Sequence, residues 1–111
     1  MRTDLTRDQV DMLVGATVIE FGTGWCGHCQ LARPLIDLVL GEHPEVRHLQ
    51  VEDGKGKRLG RTFGVKLWPT LVFYRDGSEV ARLVRPRRLE EVRDAMAKLV
   101  AVSSSEMAAA R

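Results

Sequence analysis

Apolar positions follow two rhythms along this chain. In some stretches they recur every three or four residues, the spacing that places them on one face of a helix. In others they run together, as in a strand buried on both faces. Thr6-Arg7-Asp8-Gln9 has the form of a capping box, with Thr6 as N-cap and Gln9 reaching back. Val10, Leu13 and Val14 follow as the apolar stripe of a short helix that Gly15 can end. Residues 16–21 are rich in β-branched side chains and predict a strand, after which Gly22-Thr23-Gly24 reads as a flexible connector. Helical spacing returns over 26–40, with Leu31, Leu35 and Leu38 on one row and Ala32, Ile36 and Val39 on the next. Pro34 inside this helix removes a hydrogen bond and should kink it, and Gly41 is its stop. Residues 46–51 predict a second strand, Asp53-Gly54-Lys55-Gly56 a turn, and 57–63 a short helix ending at Gly64. Residues 70–74 predict a third strand, Asp76-Gly77 a hairpin turn, and 79–84 the returning strand. A last amphipathic helix covers 88–102, with Leu89, Val92, Met96, Leu99 and Val100 on one side. The Ser/Ala-rich segment 103–111 is expected to be a frayed, disordered tail.

The order α-β-α-β-α-β-β-α predicts an α/β fold with a mixed four-stranded sheet and helices on both faces. Strands separated by helices are expected to pair in parallel, and the final hairpin adds an antiparallel pair. The length of 111 residues suits one domain, taken as 1–102, and 44% hydrophobic with 29% charged residues is the composition of an ordinary globular chain. A net charge of +2 is too small to argue for nucleic acid as a partner. Arg82, Arg85, Arg87 and Arg88 form a local basic patch, read either as a solvated face or as a hold on an acidic partner. The longest greasy stretch, 10–21, is interrupted by Asp11 and Glu20 and is too short to span a membrane. No secretory pattern follows Met1, so a cytoplasmic monomer is expected, with an exported protein as the alternative.

Trp25-Cys26-Gly27-His28-Cys29 holds both cysteines, three apart, between a strand and a helix. Two cysteines cannot scaffold a domain of this size, so the pair is metal-binding or catalytic. The unpaired N–H groups and dipole of a helix N-terminus favour negative charge, and the thiolate is the reactive form of cysteine. A second thiol one turn on can close a short disulfide ring. The rival is a zinc site, because Cys26, Cys29, His43 and His48 match a Cys₂His₂ spacing. Against it, the helix between Cys29 and His43 would hold them roughly 20 Å apart at ~1.5 Å per residue. No metal is therefore expected. A redox-inert interaction module is the third reading.

Several motifs together resemble the thioredoxin family. Trp25-Cys26-Gly27-His28-Cys29 is similar to its active-site motif, and Pro34 to the proline of its active-site helix. Phe63-Gly64-Val65 leading to Trp68-Pro69-Thr70 resembles the segment ending in its cis-proline, and Asp76-Gly77 its hairpin turn, which makes Gly77 a structural position. The resemblance implies a protein dithiol–disulfide oxidoreductase active in cell redox homeostasis. Its only redox group is the Cys26–Cys29 disulfide, with no cofactor. By this likeness Cys26 forms the mixed disulfide with substrate and Cys29 resolves it. Pro69, expected in cis, leaves a neighbouring backbone edge open to a substrate strand. Protein disulfides are the implied substrates, and a separate reductase or other donor must supply electrons.

Glu20 stands in the middle of an apolar strand, six residues before Cys26. An ionised carboxylate there is costly without a partner, a property that suits proton transfer. The resemblance gives it the task of taking the resolving thiol's proton through water. The family often pairs this carboxylate with a lysine on the next strand, and His48-Leu49-Gln50-Val51 contains none. His28 between the cysteines resembles the protein disulfide isomerases, and an imidazole beside a thiolate can stabilise it, making the disulfide more oxidising. An oxidase or isomerase role in an oxidising compartment is thus an alternative to reduction. Two departures bear on specificity. Gly22 stands where many members have an aromatic residue, and Trp68 precedes Pro69, so the indole is expected to fill space beside Cys26. Arg85-Pro86 replaces a small loop of the family's substrate groove, so Trp25, Trp68, Pro69 and Arg85 are the expected substrate contacts.

Overall fold

The computed structural model describes residues 5–109, with side chains through Ala101. Eight elements follow one another: α1 (Arg7–Asp11), β1 (Ala16–Gly22), α2 (Gly27–Gly41), β2 (Arg47–Glu52), α3 (Arg58–Thr62), β3 (Thr70–Arg75), β4 (Ser78–Val84) and α4 (Leu89–Ala109). The strands form one sheet in the order β2-β1-β3-β4. The predicted α/β class and four-stranded mixed sheet are both present.

Strand directions correct the simpler expectation. Only β1 and β2 are parallel; β1–β3 and β3–β4 are antiparallel. The cause lies in where the β2–β3 connection ends. Gly22 pairs with Glu52, and Phe21 with Thr70, so β2 finishes and β3 starts at the same end of the sheet. A connection that leaves and returns at one end reverses the strand, whatever helix it contains. At the β3–β4 hairpin Arg75 faces Ser78, leaving Asp76-Gly77 as a two-residue loop. Both loop residues have positive φ, 47° and 85°, as this tight hairpin requires. A Cβ on Gly77 would also come within 3.1 Å of the Asp11 carbonyl oxygen.

Alternation along the strands splits the core in two. Val18, Leu71 and Phe73 face α2 and α4, packing on Ala32, Ile36, Val39, Val92, Met96 and Leu99. Ile19, Phe21, Val72 and Tyr74 face the other way, onto Val10, Leu59 and Phe63 of α1 and the α3 region. Helices therefore cover both faces. The capping box forms as expected, with Gln9 N–H on Thr6 Oγ1 and Gln9 Oε1 accepting from Thr6 N–H. The first helix is shorter than its pattern suggested: Val10 is buried, but Val14 is 78% exposed beyond its end. On α2 the Ala32–Ile36–Val39 row is buried, whereas Leu31 and Leu38 of the other predicted row are exposed. Gly22, expected in a connector, is the last residue of β1. Pro34 lies inside α2. Backbone helix runs in α4 to Ala109, through most of the segment expected as a tail; residues 110–111 lie outside the described residues. No helix among the described residues is long and apolar enough to cross a membrane.

Candidate active site

β1 is buried along almost its whole length and delivers the chain, through Thr23-Gly24-Trp25, to the start of α2. Cys26 is the N-cap of that fifteen-residue helix, and its Sγ accepts the Cys29 N–H at 3.2 Å. A side-chain acceptor at this place satisfies one of the helix's unpaired donors and sits at the positive end of the dipole. Both cysteines are free thiols, 6% and 4% exposed. They are not equivalent. Burial pushes the Cys29 thiol up to about 11, helped by its hydrogen bond with Cys26 and by the negative charge of Cys26 and Glu20, while a backbone hydrogen bond at Thr23 pulls the other way. Cys29 is therefore held as a thiol at neutral pH. Once Cys26 is tied up in a mixed disulfide, its charge no longer opposes ionisation of Cys29.

Glu20 is fully buried, as its place in the strand implied, but it is not alone. Arg33 grips it with both nitrogens, Nη1 on Oε1 at 3.0 Å and Nη2 on Oε2 at 2.7 Å. His48 Nε2 stands 2.8 Å from Oε1. The cost of burying the carboxylate is thus met by a bidentate cation and an imidazole, which corrects the picture of an unpartnered acid. Arg33 lies one turn beyond Cys29 on α2. His48 lies two residues before Gln50, the register partner of Glu20, and so on the same face of the sheet. The β2 partner of this carboxylate is an imidazole, in a strand whose sequence offers no lysine. A cleft of about 290 Å³ lined by Thr23, Gly24, Cys29, Gln30 and Arg33 places Cys29 beside the cation of this cluster.

The Trp68–Pro69 peptide is cis, and Pro69 is buried at the head of β3. The Trp68 indole meets Trp25 edge to face, with centroids 5.7 Å apart, and its Nε1–H donates to Asp53 Oδ2 at 2.8 Å. Asp53 is itself fixed by close packing: a Cβ on Gly60 would lie 2.3 Å from its Oδ1. The indole thus spans from Trp25 to the β2–α3 turn. Asp53 and Gly60 were not singled out in the sequence, because nothing local marks a carboxylate that meets an indole fifteen residues on. Arg85 adopts φ of 50°, a conformation that costs a side-chain-bearing residue about 1 kcal/mol or more. In return its N–H reaches the Pro69 carbonyl at 2.9 Å and its Nε reaches the Trp68 carbonyl at 2.8 Å. A carbonyl has two lone pairs, so Trp68 keeps acceptor capacity for a further strand.

His28 is exposed and lines a groove with Leu31, Arg85, Pro86 and Arg87; among the described residues it makes no hydrogen bond to either sulfur. The zinc arrangement does not assemble. His48 is engaged with Glu20, and His43 sits beyond the far end of α2 with Glu45 at 3.2 Å.

The family model described as Thioredoxin matches residues 5–98. The thioredoxin of Chlamydia muridarum is 34% identical over 70 residues, 63% of this chain and 69% of that one. The structure of thioredoxin 2 from Pseudomonas aeruginosa PAO1 in its reduced form is 58% identical, with a TM-score of 0.80 over 87% of this chain and 90% of that one. Chlamydomonas reinhardtii thioredoxin f2 is 25% identical, with a TM-score of 0.69 over 85% and 92% of the two chains.

Proposed function

This chain belongs to the thioredoxin family and is a thiol–disulfide oxidoreductase of that type, and from that premise we propose that it reduces protein disulfides in a reducing compartment such as the cytoplasm, drawing electrons from a separate dithiol donor or reductase. The observation that carries this reading is the inequality of two neighbouring thiols, one capping a helix and the other pushed up to about 11. In the first step the Cys26 thiolate attacks one sulfur of the substrate disulfide. A Cys26–substrate bond forms, and the other substrate sulfur leaves as a thiolate. In the second step Cys29 gives up its proton and attacks Cys26 Sγ. The Cys26–Cys29 disulfide closes, and the substrate departs with both its sulfurs reduced by the pair's two electrons.

Glu20 is the proposed acceptor of the Cys29 proton. Its electrostatic effect on Cys29 supports this, as does the cleft that brings the Cys29 thiol beside Arg33, the cation that grips Glu20. Cys26 and Cys29 are the reacting groups. Trp25, Trp68, Pro69 and Arg85 form the surface on which the substrate backbone lies. His28 stays in the proposal as a modulator of potential from the groove rim, through charge and not through a bond to sulfur.

The test is reduction of insulin with dithiothreitol as donor. The expected result is turnover well above the uncatalysed dithiothreitol rate. No catalysed rate would replace this reading with an inert interaction module.

A further inference from the structure

The chain carries a net charge of only +2, yet the rim of its active site is strongly cationic. Two grooves flank the Trp25–Trp68 pair along the end of the sheet. One lies beyond β4, where Leu31 and His28 meet Arg85 and Arg87. The other lies beyond β2, where the Trp68 indole meets Lys57, Arg61 and Lys66. Trp68 joins the two, with its indole in one and its carbonyl on Arg85.

Which of these cations are already neutralised decides what the surface can do. Of the four arginines grouped in sequence, Arg82 is held by Glu79 at 2.8 Å and Arg88 by Glu90 at 2.7 Å. The guanidinium groups of Arg85 and Arg87 have no carboxylate partner among the described residues, although the Arg87 backbone N–H donates to Glu91 Oε1 at 3.2 Å, and they are the two that reach the groove. Across the site Lys57 leans on Glu52 at 3.5 Å, while Arg61 and Lys66 have no carboxylate partner among the described residues. The one acid lining either groove among the described residues, Asp53, accepts the indole N–H of Trp68 and keeps its charge, so three cations outweigh one carboxylate in the groove beyond β2. Exposed apolar surface lies between the cations: Trp25 is 76% and Leu31 78% exposed. An apolar centre with an excess of positive charge on both flanks selects partners of the opposite sign and speeds their encounter.

We propose that the proteins whose disulfides this site reduces present carboxylate side chains on both sides of the disulfide, over an apolar contact to Trp25 and Leu31. This rests on the reductase reading above. The test uses three disulfide-linked peptides of equal length, flanked by aspartates, by serines or by lysines, and measures kcat/KM at low and high salt. At low salt the acidic peptide is expected to lead the lysine peptide by about tenfold or more, a margin that shrinks as salt screens the surface. Arg61→Glu or Arg87→Glu alone narrows the margin, and the two together erase it. Lys98→Glu, on the exposed side of α4, changes net charge as much as either single variant and keeps the original order. Equal kcat/KM for all three peptides at low salt, or an order untouched by the double variant, would overturn the proposal. If no peptide is reduced faster than by dithiothreitol alone, the reductase reading itself fails.

Discussion

Serine in place of Cys26 abolishes reduction of protein disulfides, and serine in place of Cys29 leaves the chain bonded to its substrate. The expectation follows from the different settings of two adjacent thiols. Cys26 caps α2, where its sulfur accepts a backbone N–H and faces the positive end of the helix dipole. Cys29 is inside the first turn, and burial pushes its thiol up to about 11, so very little of it is thiolate at neutral pH. Without Cys26 there is no group to open the substrate disulfide. Without Cys29 the first step proceeds and the second does not. Incubation of each variant with a disulfide-bonded protein, followed by non-reducing electrophoresis and mass spectrometry, reads the result. A covalent adduct is expected with Cys29→Ser and none with Cys26→Ser. The reverse pattern would mean that the two roles are exchanged.

Removing Arg33 is the most damaging change expected for stability. Arg33→Met leaves a fully buried carboxylate with only His48 beside it. Stripping one partner from a buried ion pair commonly costs about 3–5 kcal/mol. Arg33 is itself 31% exposed and His48 remains, so a loss of about 2–3 kcal/mol is expected here. Replacing both members, as Glu20→Met with Arg33→Met, removes the uncompensated charge together with its partner and should restore most of that loss. Urea denaturation of the three proteins decides it. A single variant as stable as the parent would show that the carboxylate does not depend on Arg33.

The sequence made the architecture legible where burial is continuous. The β-branched run at 16–21 and the Val92–Met96–Leu99 stripe have one physical solution each, a strand covered on both faces and a helix on one. Strand direction was less legible, because it depends on which end of the sheet a connection returns to, and α3 does not encode that. Leu31 and Leu38 have helical spacing but lie on a row that no element covers, which only the placement of α4 decides. At the site, the cysteine pair, Pro69 and the buried Glu20 were all visible as local signals. The partners of Glu20 were not. Finding His48 requires the β1–β2 register, and finding Arg33 requires knowing which side of α2 lies over that register. Asp53 and Gly60 are likewise joined to Trp68 only through the folded loop.

The central claim is that the fold makes two touching thiols unequal. The most direct measurement is the initial rate at which a small alkylating agent modifies each cysteine of the reduced protein, resolved by peptide mass spectrometry across pH. Modification at neutral pH should fall on Cys26, with Cys29 becoming reactive only as the pH approaches its raised value of about 11. Equal initial rates at the two positions at neutral pH would contradict it.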